Sequence, residues 1–212
     1  MREVNLDEPS TSRRTVLAYG GTRSGKTHWA ATAPRPLFLS DATESGWTTV
    51  QNMDRSMWWE PDVKPRVWAI TSVAEMAEAF HKAVPLVQAG TIRTIIIDSL
   101  TFYADLYLAM IFNVLSADSK KDNRKAYGVL NIHLRDLRVK WHSLPCNVIW
   151  LCLAKDPDEE NKIGGPLIPG QQATKFTAGC DNILYTRQGA PGEFFIHTKK
   201  CGNYLAGGRE GS

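Results

Sequence analysis

At 212 residues, with 43% hydrophobic and 22% charged side chains, the chain has the makeup of a globular domain with a sizeable core and not of a disordered polypeptide. Its net charge of +3 permits a nucleic-acid partner without requiring one. Four cysteines form no CxxC pair and lack a histidine at zinc spacing, no apolar run reaches the ~18 residues of a bilayer span, and the polar, acidic first residues do not resemble a signal peptide; a cytoplasmic protein with no membrane attachment is expected.

In chain order, residues 1–14 read as a loose polar lead-in, and Thr15 to Tyr19 as a short buried strand stopped by Gly20. A helix is expected from Lys26 to Ala33, ended by Pro34 and Pro36, followed by a strand at Leu37–Leu39 and a polar turn from Ser40 to Gly46. Arg66–Ile70 predicts a third strand. Ser72 with Glu75 has capping-box spacing and opens a helix that Gly90 terminates, with Pro85 as a kink. Thr94–Asp98, the most apolar strand, belongs at the centre of a parallel sheet.

A helix over 100–115 then leads to a lysine-rich loop at 116–126. Leu130, Leu134, Leu137, Trp141 and Leu144 recur at spacings of three and four, an amphipathic helical stripe. Residues 147–153 predict another buried strand, 156–170 a long Gly/Pro-rich loop, and 182–186 with 193–198 a hairpin. The tail 207–212 is expected to be mobile. Strands alternating with helices define an α/β fold with a mostly parallel sheet and a C-terminal antiparallel hairpin, in one domain over 15–206.

The segment Gly20-Gly21-Thr22-Arg23-Ser24-Gly25-Lys26-Thr27 satisfies G-x-x-x-x-G-K-[ST], between an apolar strand and a helix. Glycines let backbone N–H groups converge on an anion at the positive end of the helix. In that pattern Lys26 reaches the β- and γ-phosphates of ATP and the Thr27 hydroxyl binds Mg²⁺. Asp98 ends its strand at the carboxyl edge, where ligands of open parallel sheets bind. Its carboxylate suits Mg²⁺; it also stands where a helix N-cap would.

The run Thr94-Ile95-Ile96-Ile97-Asp98-Ser99-Leu100-Thr101 resembles the second nucleotide motif of RecA-like P-loop ATPases. The surrounding order of elements is also similar, above all in phage-encoded AAA-type nucleotide-binding proteins with a minimal RecA core, some of which anneal single strands. That resemblance covers residues 14–209 and implies a three-layer sandwich that hydrolyses ATP with Mg²⁺, with Lys26 and Asp98 in the catalytic set. It implies a water-positioning acid at Glu44, with Asp41 as the alternative, and a polar sensor where Lys155 stands, either sensor or surface lysine. It places Lys199 and Lys200, and more weakly Arg209, where basic residues reach a neighbouring subunit's ATP, and so implies a homo-oligomer. It also implies single-stranded DNA as partner, through a loop holding Lys120, Lys121, Arg124 and Lys125; the acidic start of 156–170 departs from a DNA-binding loop. Trp58 and Trp59 read either as a stacking platform or as packed side chains.

Overall fold

The computed structural model describes residues 13–43, 46–114, 123–159, 162–169 and 172–209. Strands β1 (Thr15–Gly20), β2 (Pro36–Asp41), β3 (Arg66–Ile70), β4 (Thr94–Asp98), β5 (Asn147–Lys155), β7 (Asn182–Gln188) and β8 (Phe194–His197) form one sheet in the order β3-β2-β4-β5-β1-β7-β8. The first six of these positions are parallel, and β8 returns antiparallel to β7. Two two-residue strands complete the set: β6 (Gly165–Pro166) on β5 and β9 (Gly207–Gly208) on β7.

Because strand side chains alternate between faces, each central strand feeds two cores. Leu17, Tyr19, Leu37, Leu39, Ile95, Ile97, Val148 and Trp150 bury one face, beneath helices α3 (Val73–Gln88), α4 (Leu100–Val114), α5 (Asn123–His142) and α6 (Gln172–Ala178). Ala18, Phe38, Ile96, Ile149, Leu151 and Leu184 bury the other, against α1 (Lys26–Ala31), α2 (Trp47–Gln51) and the residues following it. The result is a three-layer α/β sandwich. The α5 stripe from Leu130 to Trp141 and Leu144 are buried, as the spacing requires. Fully burying a chain such as Leu130 contributes about 1.5–3 kcal/mol.

The helix boundaries have local causes. Ser72 Oγ accepts the Glu75 N–H at 3.2 Å, while Glu75 Oε2 reaches back to the N–H and hydroxyl of Thr71 at 2.6 and 2.7 Å. The cap thus closes one residue before the box spacing implies. Gly90, at φ 67°, ends the segment as expected, and Pro85 lies inside the last turn of α3. The crossover from β2 to β3 holds the short helix α2 and a 3₁₀ turn at Arg55–Met57, neither predicted. It is fastened by Arg35, whose Nε and Nη2 grip Glu60 while Nη1 donates to Gly90 O.

Three boundaries differ from expectation. Arg13 donates to the carbonyls of His142 and Leu144, and Arg14 pairs with Asn147 and Val148, so the lead-in is tied down from residue 13. Gly207–Gly208 is not a loose tail: it pairs with Asn182 and Ile183, and Arg209 bonds to Ala178 O and Asp181. Helix α5 starts at Asn123, so Arg124 and Lys125 belong to its first turn and not to a loop. Hydrogen bonds to distant residues, invisible to a composition-based reading, decide the first two cases, and a charged first helical turn the third. Among the described residues no helix is long and apolar enough to cross a membrane.

In the core beneath α5, the buried Trp150 indole donates to His142 Nε2 at 2.9 Å. Burial, aided by Arg138, pushes the imidazole down to about 4. Between that value and the ordinary 6.5 the unfolded chain binds the proton and the folded chain does not, so stability falls as pH drops through this window. His142→Gln, which keeps an acceptor for Trp150, is expected to flatten that slope; thermal melts of both proteins between pH 4 and pH 7 check it.

Candidate functional site

Strand β1 lies between β5 and β7, and its buried end delivers Gly20 to the carboxyl edge of the sheet. Here the backbone of β7 comes so close that no side chain fits: a Cβ at Gly20 would collide with Thr186 O and Oγ1 and lie 2.7 Å from Ser24 Oγ. Gly21 faces open space. Arg23 at φ 59° and Gly25 at φ 83° turn the chain back on itself, the alternation that makes an anion-receiving concavity of successive N–H groups.

A relay of hydrogen bonds fixes the loop from inside. Lys26 Nζ donates to Gly20 O at 3.1 Å, Gly21 O at 2.7 Å and Ser24 Oγ at 3.3 Å. Thr186 Oγ1 donates to Tyr19 O at 3.2 Å, which leaves Ser24 Oγ to donate to Thr186 across 2.7 Å. A buried ammonium, two hydroxyls and a strand carbonyl thereby hold one another in register.

On the opposite lip, Asp98 continues the even-numbered face of β4, below Ile96, and points toward α1. Thr27 Oγ1 donates to Asp98 Oδ2 at 2.8 Å. Burial pushes the Asp98 carboxyl upward, while the Thr27 bond and the nearby Lys26 charge act in the other direction. Gly46 returns the chain to this pair: a Cβ there would stand 3.7 Å from Asp98 Oδ2 and 4.0 Å from Thr27 Oγ1. Hydroxyl and carboxylate oxygens side by side, with a glycine leaving room beside them, form a donor set that fits a hard divalent cation. Among the described residues no group of three or more His, Cys, Asp and Glu side chains is gathered as a metal site.

The remaining predicted residues fall in different places. Glu44, Lys120 and Lys121 lie outside the described residues. Asp41 ends β2, its Oδ1 accepting the N–H and hydroxyl of Thr43. Lys155 is the last residue of β5 and pairs with Asp158 at 3.1 Å. Lys199 and Lys200 are exposed between β8 and Tyr204, whose ring stacks on Tyr185 on the face opposite α1. Arg209 is engaged at Asp181 and Ala178, at the far end of β7 from Thr186. Arg124 and Lys125 are exposed on α5, Trp58 is packed in the α1-side core, and Trp59 is exposed.

Sequence reasoning missed Thr186, Gly46 and Phe194. Thr186 reaches the loop through the β1–β7 pairing and Phe194 through the β7–β8 pairing, each 160 or more residues along the chain. The ring of Phe194 lies against Gly25. Gly46 carried a signal, the end of the Asp41–Gly46 turn, but its nearness to Asp98 is a matter of packing.

A mostly parallel sheet between helical layers, with a glycine loop after its first strand and an acid at the end of a neighbouring strand, defines the P-loop nucleoside-triphosphatase fold. A family model described as an AAA domain matches residues 12–210, and the chain belongs to that family of nucleotide-binding ATPases. No curated protein matches it.

The two adjacent glycines are expected to respond oppositely to the same change. Gly20→Ala should destabilise the protein by about 2 kcal/mol, as overpacking against backbone does, and Gly21→Ala by less than about 0.5 kcal/mol. Chemical denaturation of both variants measures the difference.

Proposed function

We infer that the chain binds Mg²⁺·ATP in the loop 20–27 and hydrolyses it, as an oligomer acting on single-stranded DNA in phage-type recombination or replication. The observation that carries the nucleotide part is the Thr27–Asp98 pair standing beside the caged Lys26 ammonium. The loop amides and Lys26 would hold the phosphates, and Lys26 would offset charge developing on the transferred phosphoryl group. Thr27 and Asp98 would hold Mg²⁺, which would offset the negative charge of the phosphates.

Water attacks the γ-phosphorus as the bond to the β-phosphate oxygen breaks, and a carboxylate in the 41–46 turn orients that water and accepts its proton. Glu44 is assigned this work, because Asp41 already serves the Thr43 turn. The β2 turn rejoins the site at Gly46, which supports the placement. Single-stranded DNA is supported by the exposed cations Arg124 and Lys125 beside the segment holding Lys120 and Lys121, and by the likeness to phage annealing proteins. Assembly would let Lys199 or Lys200, both exposed just after β8, serve a neighbour's nucleotide.

Lys26→Ala is expected to lower ATP affinity at least about tenfold. Asp98→Asn should retain binding and lose about a hundredfold in turnover. Glu44→Gln should do the same, with Asp41→Asn much milder. Hydrolysis by the unaltered chain should rise with protein concentration and with added single-stranded DNA. Phosphate-release assays with parallel calorimetry measure all four. Intact binding and hydrolysis in Lys26→Ala would falsify the nucleotide reading, and turnover indifferent to both concentration and DNA would remove the oligomer and DNA parts. Good ATP affinity with negligible turnover, unchanged by Glu44→Gln, would instead identify a nucleotide-gated binding module.

A further inference from the structure

Phe194 opens β8 opposite Gln188, on the sheet face that carries Thr186 and α1. Its side chain packs against the phosphate loop: a Cβ at Gly25 would meet Phe194 Cγ, Cδ1 and Cβ at 2.7, 2.9 and 3.0 Å. Yet 46% of the residue faces solvent. The ring is also held in register with the loop, because the β7–β8 hairpin is bonded to it through Ser24 and Thr186.

The sheet order places this ring relative to the acid. Asp98 on β4 and Phe194 on β8 each stand two strands from β1, on opposite sides. They meet the loop two residues apart, Asp98 at Thr27 and Phe194 at Gly25. A triphosphate whose terminal phosphates sit at Thr27 and Asp98 must leave the loop on the other flank, which is the β7–β8 flank. The group that follows the phosphates there is the nucleoside, and its base is a flat π-system. A half-exposed aromatic ring on a fixed hairpin offers the matching surface.

We propose that Phe194 is the base-stacking residue of the nucleotide site, so that the hairpin binds the nucleoside end while the loop binds the phosphates. This rests on the nucleotide-binding reading above and extends it to the part of the ligand that the glycine loop does not touch. The side chain touches the loop at Gly25, where only glycine is accommodated, and nearly half of the residue is left open to a base.

The test is calorimetric titration, in Mg²⁺, of ATP and of inorganic tripolyphosphate into the unaltered chain, Phe194→Ala, Phe194→Leu, Phe194→Tyr and Lys26→Ala. Phe194→Ala and Phe194→Leu should bind ATP about tenfold more weakly, in line with the usual loss of one base–aromatic stack, and tripolyphosphate within about twofold of the unaltered chain. Phe194→Tyr should bind ATP normally. Phe194→Leu keeps apolar bulk against Gly25 without an aromatic face, so ATP binding equal to that of the unaltered chain would overturn the proposal. An equal loss for both ligands in Phe194→Leu would also overturn it, since the ring would then merely prop the loop. Lys26→Ala should lose both ligands; if it binds ATP normally, the phosphate reading fails, whatever the Phe194 variants do.

Discussion

No side chain fits at position 20, and the site is organised around that exclusion. Where β1 ends, the backbone of β7 passes so close that Thr186 occupies the volume a Cβ would need. The same closeness lets Thr186 span from Tyr19 O to Ser24 Oγ, and it brings the carbonyls of Gly20 and Gly21 around the Lys26 ammonium. A bulkier residue would push β7 outward and break the relay at its centre. The loop is therefore shaped by a strand that comes late in the chain, and not only by its own glycines.

The second determinant is parity. Within β4, Ile95 and Ile97 enter the core under α3, α4 and α5, while Ile96 enters the core under α1. Asp98 inherits the Ile96 side and so arrives beside Thr27. A slip of one residue in the β4–β5 register would turn the carboxylate to the wrong face and expose the isoleucines to mismatched partners. The strand is apolar throughout, so register rather than hydrophobicity does the selecting; the inter-strand pairing from Thr94 with Asn147 to Asp98 with Leu151 supplies it.

Much of this was legible in the residues. The glycine loop, the apolar strands around it, the α5 stripe and the acid at the end of β4 each depend on local pattern or a short motif, and each stands where the pattern puts it. Some of the elements that escaped depend on distant pairing; others are too short or too charged to show a period. Gly207 and Gly208 look like a flexible tail until Asn182 and Ile183 provide a ladder. Arg124 and Lys125 read as loop because charged residues in a first helical turn carry no hydrophobic period. Helix α6 and the short helix α2 lie in stretches too brief for a periodic signal. In the site, Lys26, Thr27 and Asp98 could be named from spacing, whereas Thr186, Gly46 and Phe194 could not. They approach the loop only once the sheet order is known.

Strand β8 has a consequence for how the protein behaves at high concentration. It ends the sheet order, and its run Phe194-Phe195-Ile196 is half-exposed, uncharged and rich in strand-forming residues. Such a border is a template on which foreign strands add, the first step toward insoluble aggregates. Charged residues bracket it: Glu193 before the run, Arg187 beside Phe195 on the neighbouring strand, and Lys199 and Lys200 soon after. Like charges stacked by edge-to-edge addition repel, so these lysines act as gatekeepers of solubility in the isolated chain, independently of any contact they make in an assembly.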